Sequence, residues 1–187
     1  VSTVANSADR TFTVGGVTFI MKYVEAGTFL MGSTDYFNEQ PIHRVTISKD
    51  YYIGETEVTQ ALWKAATGYS PTKGSSWEKG YGLGDNYPAY NISYRDVQSF
   101  IKKLNKITGV YFRMPTEAEW EFAARGGNKS KGYKYSGSNT IDDVAWYRDN
   151  SWFRDNNSSL THPVKTKTAN ELGIYDMSGN VSEWCSD

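Results

Sequence analysis

The stretch "NELGIYDMSGNVSEW", Asn170 to Trp184, decides how this chain is read. It places one carboxylate at Asp176 and another at Glu183, with a turn at Ser178-Gly179-Asn180 between them. Hard cations such as Ca²⁺ take roughly six to eight oxygens, from carboxylates and backbone carbonyls alike. A glycine turn exposes carbonyls that can converge on one ion. The spacing is not that of an EF-hand, so on chemistry alone a tight turn with solvated acids stays open beside the ion loop.

Upstream, three helices are signalled by their ends. "EVTQALWKAATG" offers Thr59 as a cap and Gly68 as a stop. "SYRDVQSFIKKLNKITG" pairs Ser93 with Asp96, puts Val97, Phe100, Ile101, Leu104 and Ile107 on one face, and stops at Gly109. "TEAEWEFAARGG" has a capping box at Thr116 and Glu119 and ends at Gly126. Short alternating strands precede them. "TFTVGGVTFIMKYVEAGTFLMGS" breaks at Gly15-Gly16 and at Gly27, and "HRVTISKDYYIG" continues the strand character to Ile53. From Tyr69 to Asn91 and from Gly126 to Asn170, turn-forming residues and tyrosine dominate, and residues 1–10 read as frayed. Loops this long in a compact domain are functional or held by packing and ions. The expectation is a single α+β domain, loop-rich, with little regular secondary structure.

Composition narrows the function. The 187 residues carry a net charge of −1, which points away from nucleic acid and anionic membrane surfaces. No apolar run reaches membrane-spanning length. Fourteen tyrosines and six tryptophans either pin irregular segments or line a binding groove. One cysteine, Cys185, cannot form an internal disulfide or a pair of thiolate ligands. His43 and His162 lie far apart and read as packed or surface residues, with a Cys185–His162 nucleophilic pair as the minor alternative. "GYGLG" at Gly80 to Gly84 lacks the strand before and the helix after that a phosphate loop needs.

Two motifs, "FRMPTEAEWEFAARGG" (Phe112 to Gly127) and "NELGIYDMSGNVSEW", together resemble the formylglycine-generating enzyme family, also called the sulfatase-modifying-factor family. "GTFLMGS", "EQPIHRVTIS" and "YYIGETEVTQALW" match more weakly and in the same order. The resemblance runs from Phe19 to Asp187. It divides the chain into residues 1–18, an N-terminal extension or first strand, and a domain over 19–187 that lacks the family's C-terminal segment. A longer protein is the expectation.

The resemblance implies a C-type-lectin-like fold and a structural Ca²⁺ held by Asp176, Gly179, Val181 and Glu183. The family's second calcium site has no residue-by-residue match, although "IDDVAWYRDN" is acidic. The family's enzymes oxidise a sulfatase cysteine to formylglycine with O₂ and a Cu(I) held by two cysteines of the C-terminal segment. Cys185 corresponds to neither, and Ser182 stands where the family usually has tryptophan. No catalytic residue is therefore assigned within 1–187, and Cu(I) is expected only if further C-terminal cysteines supply its soft ligands. Iron-dependent C–S bond formation, known in the wider family, would need a histidine cluster. Two expectations follow: an oxidase acting on a sulfatase peptide, or a non-catalytic lectin-like module of the bacterial cell envelope that binds a protein or carbohydrate. An extracytoplasmic place, periplasmic or cell-surface, goes with a calcium-stapled domain.

Overall fold

A computed structural model describes residues 8–69, 77–153 and 158–187. The start expected to fray lies outside the described residues as far as residue 7, as do parts of both long loops.

Strand β1 (Arg10–Val14) turns back at Gly15-Gly16 into β2 (Val17–Val24), and β2 also pairs antiparallel with β5 (Tyr51–Gly54). Residues 10–18 therefore belong to this sheet. β3 (Gly27–Met31) and β4 (His43–Ile47) form a second, two-stranded sheet. The run from His43 to Ile53, read as continuous, is thus two strands in two sheets. Asp50 sits at the join, where its carboxylate accepts from the Ala26 backbone N–H at 2.8 Å and the Tyr23 hydroxyl at 2.7 Å. The break expected at Gly27 falls just before it. Gly27 opens β3, and glycine suits the position because a Cβ there would lie 2.7 Å from the Phe122 ring.

The three expected helices are present: α1 (Gln60–Thr67), α2 (Tyr94–Thr108) and α3 (Glu117–Ala124). Their caps are Thr59, Ser93 and Thr116, and the latter two complete capping boxes with Asp96 and Glu119. α1 and α2 end in left-handed glycines, Gly68 and Gly109. Ile107 departs from the expected buried face: it is 53% exposed. Short one-turn helices, α4 (Ile141–Val144) and α5 (Arg148–Ser151), and a small β6–β7 pair (Trp152–Phe153, Ser158–Ser159) punctuate the rest.

Two apolar clusters hold these elements. In the first, Trp63 stacks on Phe100 at 4.9 Å, joining α1 to α2 over Val14. In the second, α3 presents Phe122, Ala123 and Ala124 to Val24, Ile47, Ile174 and Met177. This second cluster fixes the 170–184 segment, since Ile174 and Met177 belong to it. "GYGLG" is structural too. Fully buried Gln60 donates to Gly82 O and Pro88 O and accepts from Gly84 N.

Candidate functional site

Asn170 starts the loop and shapes its first turn. Its amide donates to Ala123 O at the end of α3 and to Ser136 Oγ, and its Oδ1 accepts from Leu172 N and Ile174 N. Tyr175 N then donates to Glu55 O beyond β5. Asp176 follows at φ 61°, a left-handed conformation that aspartate tolerates better than most residues. It is 4% exposed, and its Oδ2 accepts from Lys165 N at 2.9 Å.

The turn is tight against Trp146. A Cβ on Gly179 would run into the Trp146 carbonyl, so only glycine fits there. Asn180, at φ 66°, donates its backbone N–H to that same carbonyl at 2.7 Å. Its side chain bonds both ways with the His162 backbone, at 2.8 and 3.0 Å, and donates to Glu57 Oε2 at 2.8 Å. Val181 N donates to Glu57 Oε1 at 3.0 Å. Trp184 closes the loop by donating to Ile92 O and meeting Tyr94 edge-on.

The four residues named from sequence, Asp176, Gly179, Val181 and Glu183, line one cavity of about 510 Å³ beside Trp120 and Trp146. Burial raises the Asp176 carboxyl above its ordinary range. Glu183 has much of its surface in solvent, yet burial of its carboxyl end and the nearby Asp176 push it up to about 7, against the opposing Trp120 indole. Glu57, buried, is pushed up to about 9 by burial and by Glu183 and Asp176, although its two hydrogen bonds pull the other way. Asp176 and Glu183 therefore line one cavity with Glu57 behind the turn, and two carboxylates with backbone carbonyls are the donor types a hard cation takes. Among the described residues no three of His, Cys, Asp and Glu form a group able to hold a metal ion. An ion here would rely on the loop's carbonyl oxygens as well as on its acids.

The buried Glu57 has a measurable consequence. Folded, it keeps a proton that the unfolded chain releases above its ordinary value of 4.5. Unfolding free energy of the chelated protein should therefore fall between that value and about 9, with a slope of at most about 1.4 kcal/mol per pH unit from this group. Urea melts in EDTA across that window check it. A flat or rising stability contradicts the buried acid, with Asp176 and Glu183 as the titrating neighbours to control for.

The remaining candidates resolve structurally. His162 stacks on Trp146 at 3.7 Å, and burial with nearby Lys167 lowers its pKa. His43 is exposed on β4. Cys185 is pushed up to about 11 by burial and by Glu183, Asp187 and Glu117, the reverse of an activated thiolate. In the 141–150 segment, Asp142 accepts from Tyr147 Oη and Asn150 Nδ2, and Asp143 from Ser138 Oγ, so these acids serve local structure. Sequence reasoning missed Glu57 and Asn180 as parts of the site. Glu57 lies inside a quoted motif, but nothing local signals that its carboxyl turns toward a loop more than 120 residues away.

A sulfatase-modifying factor enzyme 1-like domain model matches residues 17–187. The chain is 37% identical to "Chaperone protein LppX" of Paenibacillus barcinonensis, over 87% of this chain and 69% of that protein. It is 29% identical to a formylglycine-generating enzyme of Streptomyces coelicolor, over 86% of this chain and 66% of that enzyme. Among solved structures, Treponema denticola variable protein 1 superposes with a TM-score of 0.77 at 35% identity, covering 95% of this chain and 76% of that one.

Proposed function

From the premise that the chain belongs to the sulfatase-modifying factor family, we propose that it is a non-oxidising, lectin-like binding module whose 176–183 loop is stapled by calcium. The observation that carries this reading is the loop itself: Asp176, Gly179, Val181 and Glu183 line one cavity, and Ser182 stands among them where the family usually has tryptophan. A relative named as a chaperone, and a cavity of about 1140 Å³ lined by aromatics such as Phe12, Phe19 and Trp184, support protein binding. The proposed place is extracytoplasmic, where calcium modules work with modest affinity.

Asp176, Gly179, Val181 and Glu183 would hold the ion, the first and last by carboxylate and the middle two by carbonyl. Bound calcium would supply two positive charges and tie the loop's ends together. The rest is done by the chain: Asn170 and Trp146 set the turn, and Trp184 shuts it. Glu183→Ala should remove the calcium-dependent part of stability, about 2.7 kcal/mol at a hundredfold excess over Kd, or about 5–10 °C in melting temperature. Calorimetric titration checks it, and unaltered calcium affinity in the variant contradicts the ligand set.

The second reading, an oxidase, is favoured by the match to the Streptomyces enzyme. Incubation of the full protein with Cu(I), O₂ and a sulfatase-motif peptide, read by mass spectrometry, separates the two. The expected result is no aldehyde on the peptide cysteine. Conversion would overturn the binding-module reading.

A further inference from the structure

Glu57 is the buried acid that the loop itself does not contain. It lies between β5 and the cap of α1, 6% exposed. Both of its oxygens accept from the loop, Oε1 from Val181 N and Oε2 from Asn180 Nδ2. These two contacts fall directly on the turn that presents the Gly179 and Val181 carbonyls. A carboxyl whose oxygens are both engaged in this way is placed to aim the loop rather than to ligate.

We infer that Glu57 is a positioning residue for the cation loop, fixing Asn180 and Val181 so that the carbonyls on either side are aimed before the ion arrives. The inference rests on the calcium reading above. Asn180 needs such a hold because it sits at φ 66°, and its other side-chain bonds go to the backbone of His162. The Asn180 amide spans the gap, so one carboxyl links the segment before α1, the loop through His162 and the turn. Groups behind metal ligands that hold them in place typically carry 10–100-fold in metal affinity.

The substitution that tests this is Glu57→Gln. Glutamine keeps the shape but offers one oxygen, so it accepts from Val181 N or from Asn180 Nδ2, and its own amide then meets a donor. The measurement is Ca²⁺ affinity by calorimetry, with circular dichroism of the chelated protein to confirm the fold. Glu57→Gln should weaken calcium binding about tenfold or more and shrink the rise in melting temperature that calcium gives. A merely structural role would lower the melting temperature equally with calcium and with EDTA and leave Kd unchanged, which overturns the inference. If Glu57→Gln does not fold, Glu57→Asp decides, because it keeps both oxygens on a shorter stem. Weakened affinity supports positioning, and wild-type affinity overturns it. A wild-type protein that binds no Ca²⁺ overturns the calcium reading and this inference together. A binding wild type with unaffected variants overturns this inference alone.

Discussion

Asn170→Ala should lower the unfolding free energy by about 3–5 kcal/mol, a large share of a domain's total. Asn170 is 6% exposed and makes hydrogen bonds at both ends of its side chain. Alanine strands the Leu172 and Ile174 amide N–H groups, while the Ala123 carbonyl keeps its bond from Gly126 N. Each buried group left unpaired costs about 1–3 kcal/mol. Asn170→Asp is the informative control. It keeps the acceptor for the two N–H groups but turns an oxygen toward the Ala123 carbonyl, so it should also destabilise. Chemical unfolding measures both, and a loss below about 1 kcal/mol for the alanine variant would mean the loop is not tied to α3 through this side chain.

Phe122→Ala should cost a similar amount, about 3–5 kcal/mol, by leaving a cavity where the ring stood. Phe122 is 1% exposed and lies against Phe29 with ring centroids 5.2 Å apart. Val24, Ile174 and Met177 share its cluster, so the ring joins the first sheet, the second sheet and the 170–184 loop. The void would border Gly27, which has no side chain to fill it. The variant should therefore loosen the 174–177 segment as well as lower global stability, visible as faster amide exchange at Ile174 and Met177. Exchange there at the wild-type rate would show that the loop does not depend on this core.

These two residues mark where the sequence is readable and where it is not. Thr59, Ser93 and Thr116 are legible because a cap is a bond between a side chain and the backbone about three residues on. Gly15-Gly16 is legible for the same local reason. The acids of the loop were found from their bracketing of a glycine turn, and the family resemblance supplied the carbonyl positions. Ile107 misleads, because helical period says which face a residue is on and not whether anything packs there. The split between β4 and β5 was hidden, since strand pattern does not say which sheet a strand joins. Asn170 and Glu57 were invisible as structural nodes. Asn170 reaches back 47 residues to Ala123 and Glu57 reaches 123 residues on to Asn180, and a long-range hydrogen bond of that kind leaves no periodic trace.

On this reading calcium staples the 176–183 loop to a domain whose acids crowd together there. Thermal unfolding of the wild-type protein in millimolar Ca²⁺ and in EDTA tests it most directly, with Mg²⁺ as the control for charge alone. The melting temperature should be about 5–10 °C higher in calcium, with little of that rise in magnesium. Coincident melts in calcium and EDTA would contradict it and leave the loop held by Asn170, Trp146 and Glu57 alone.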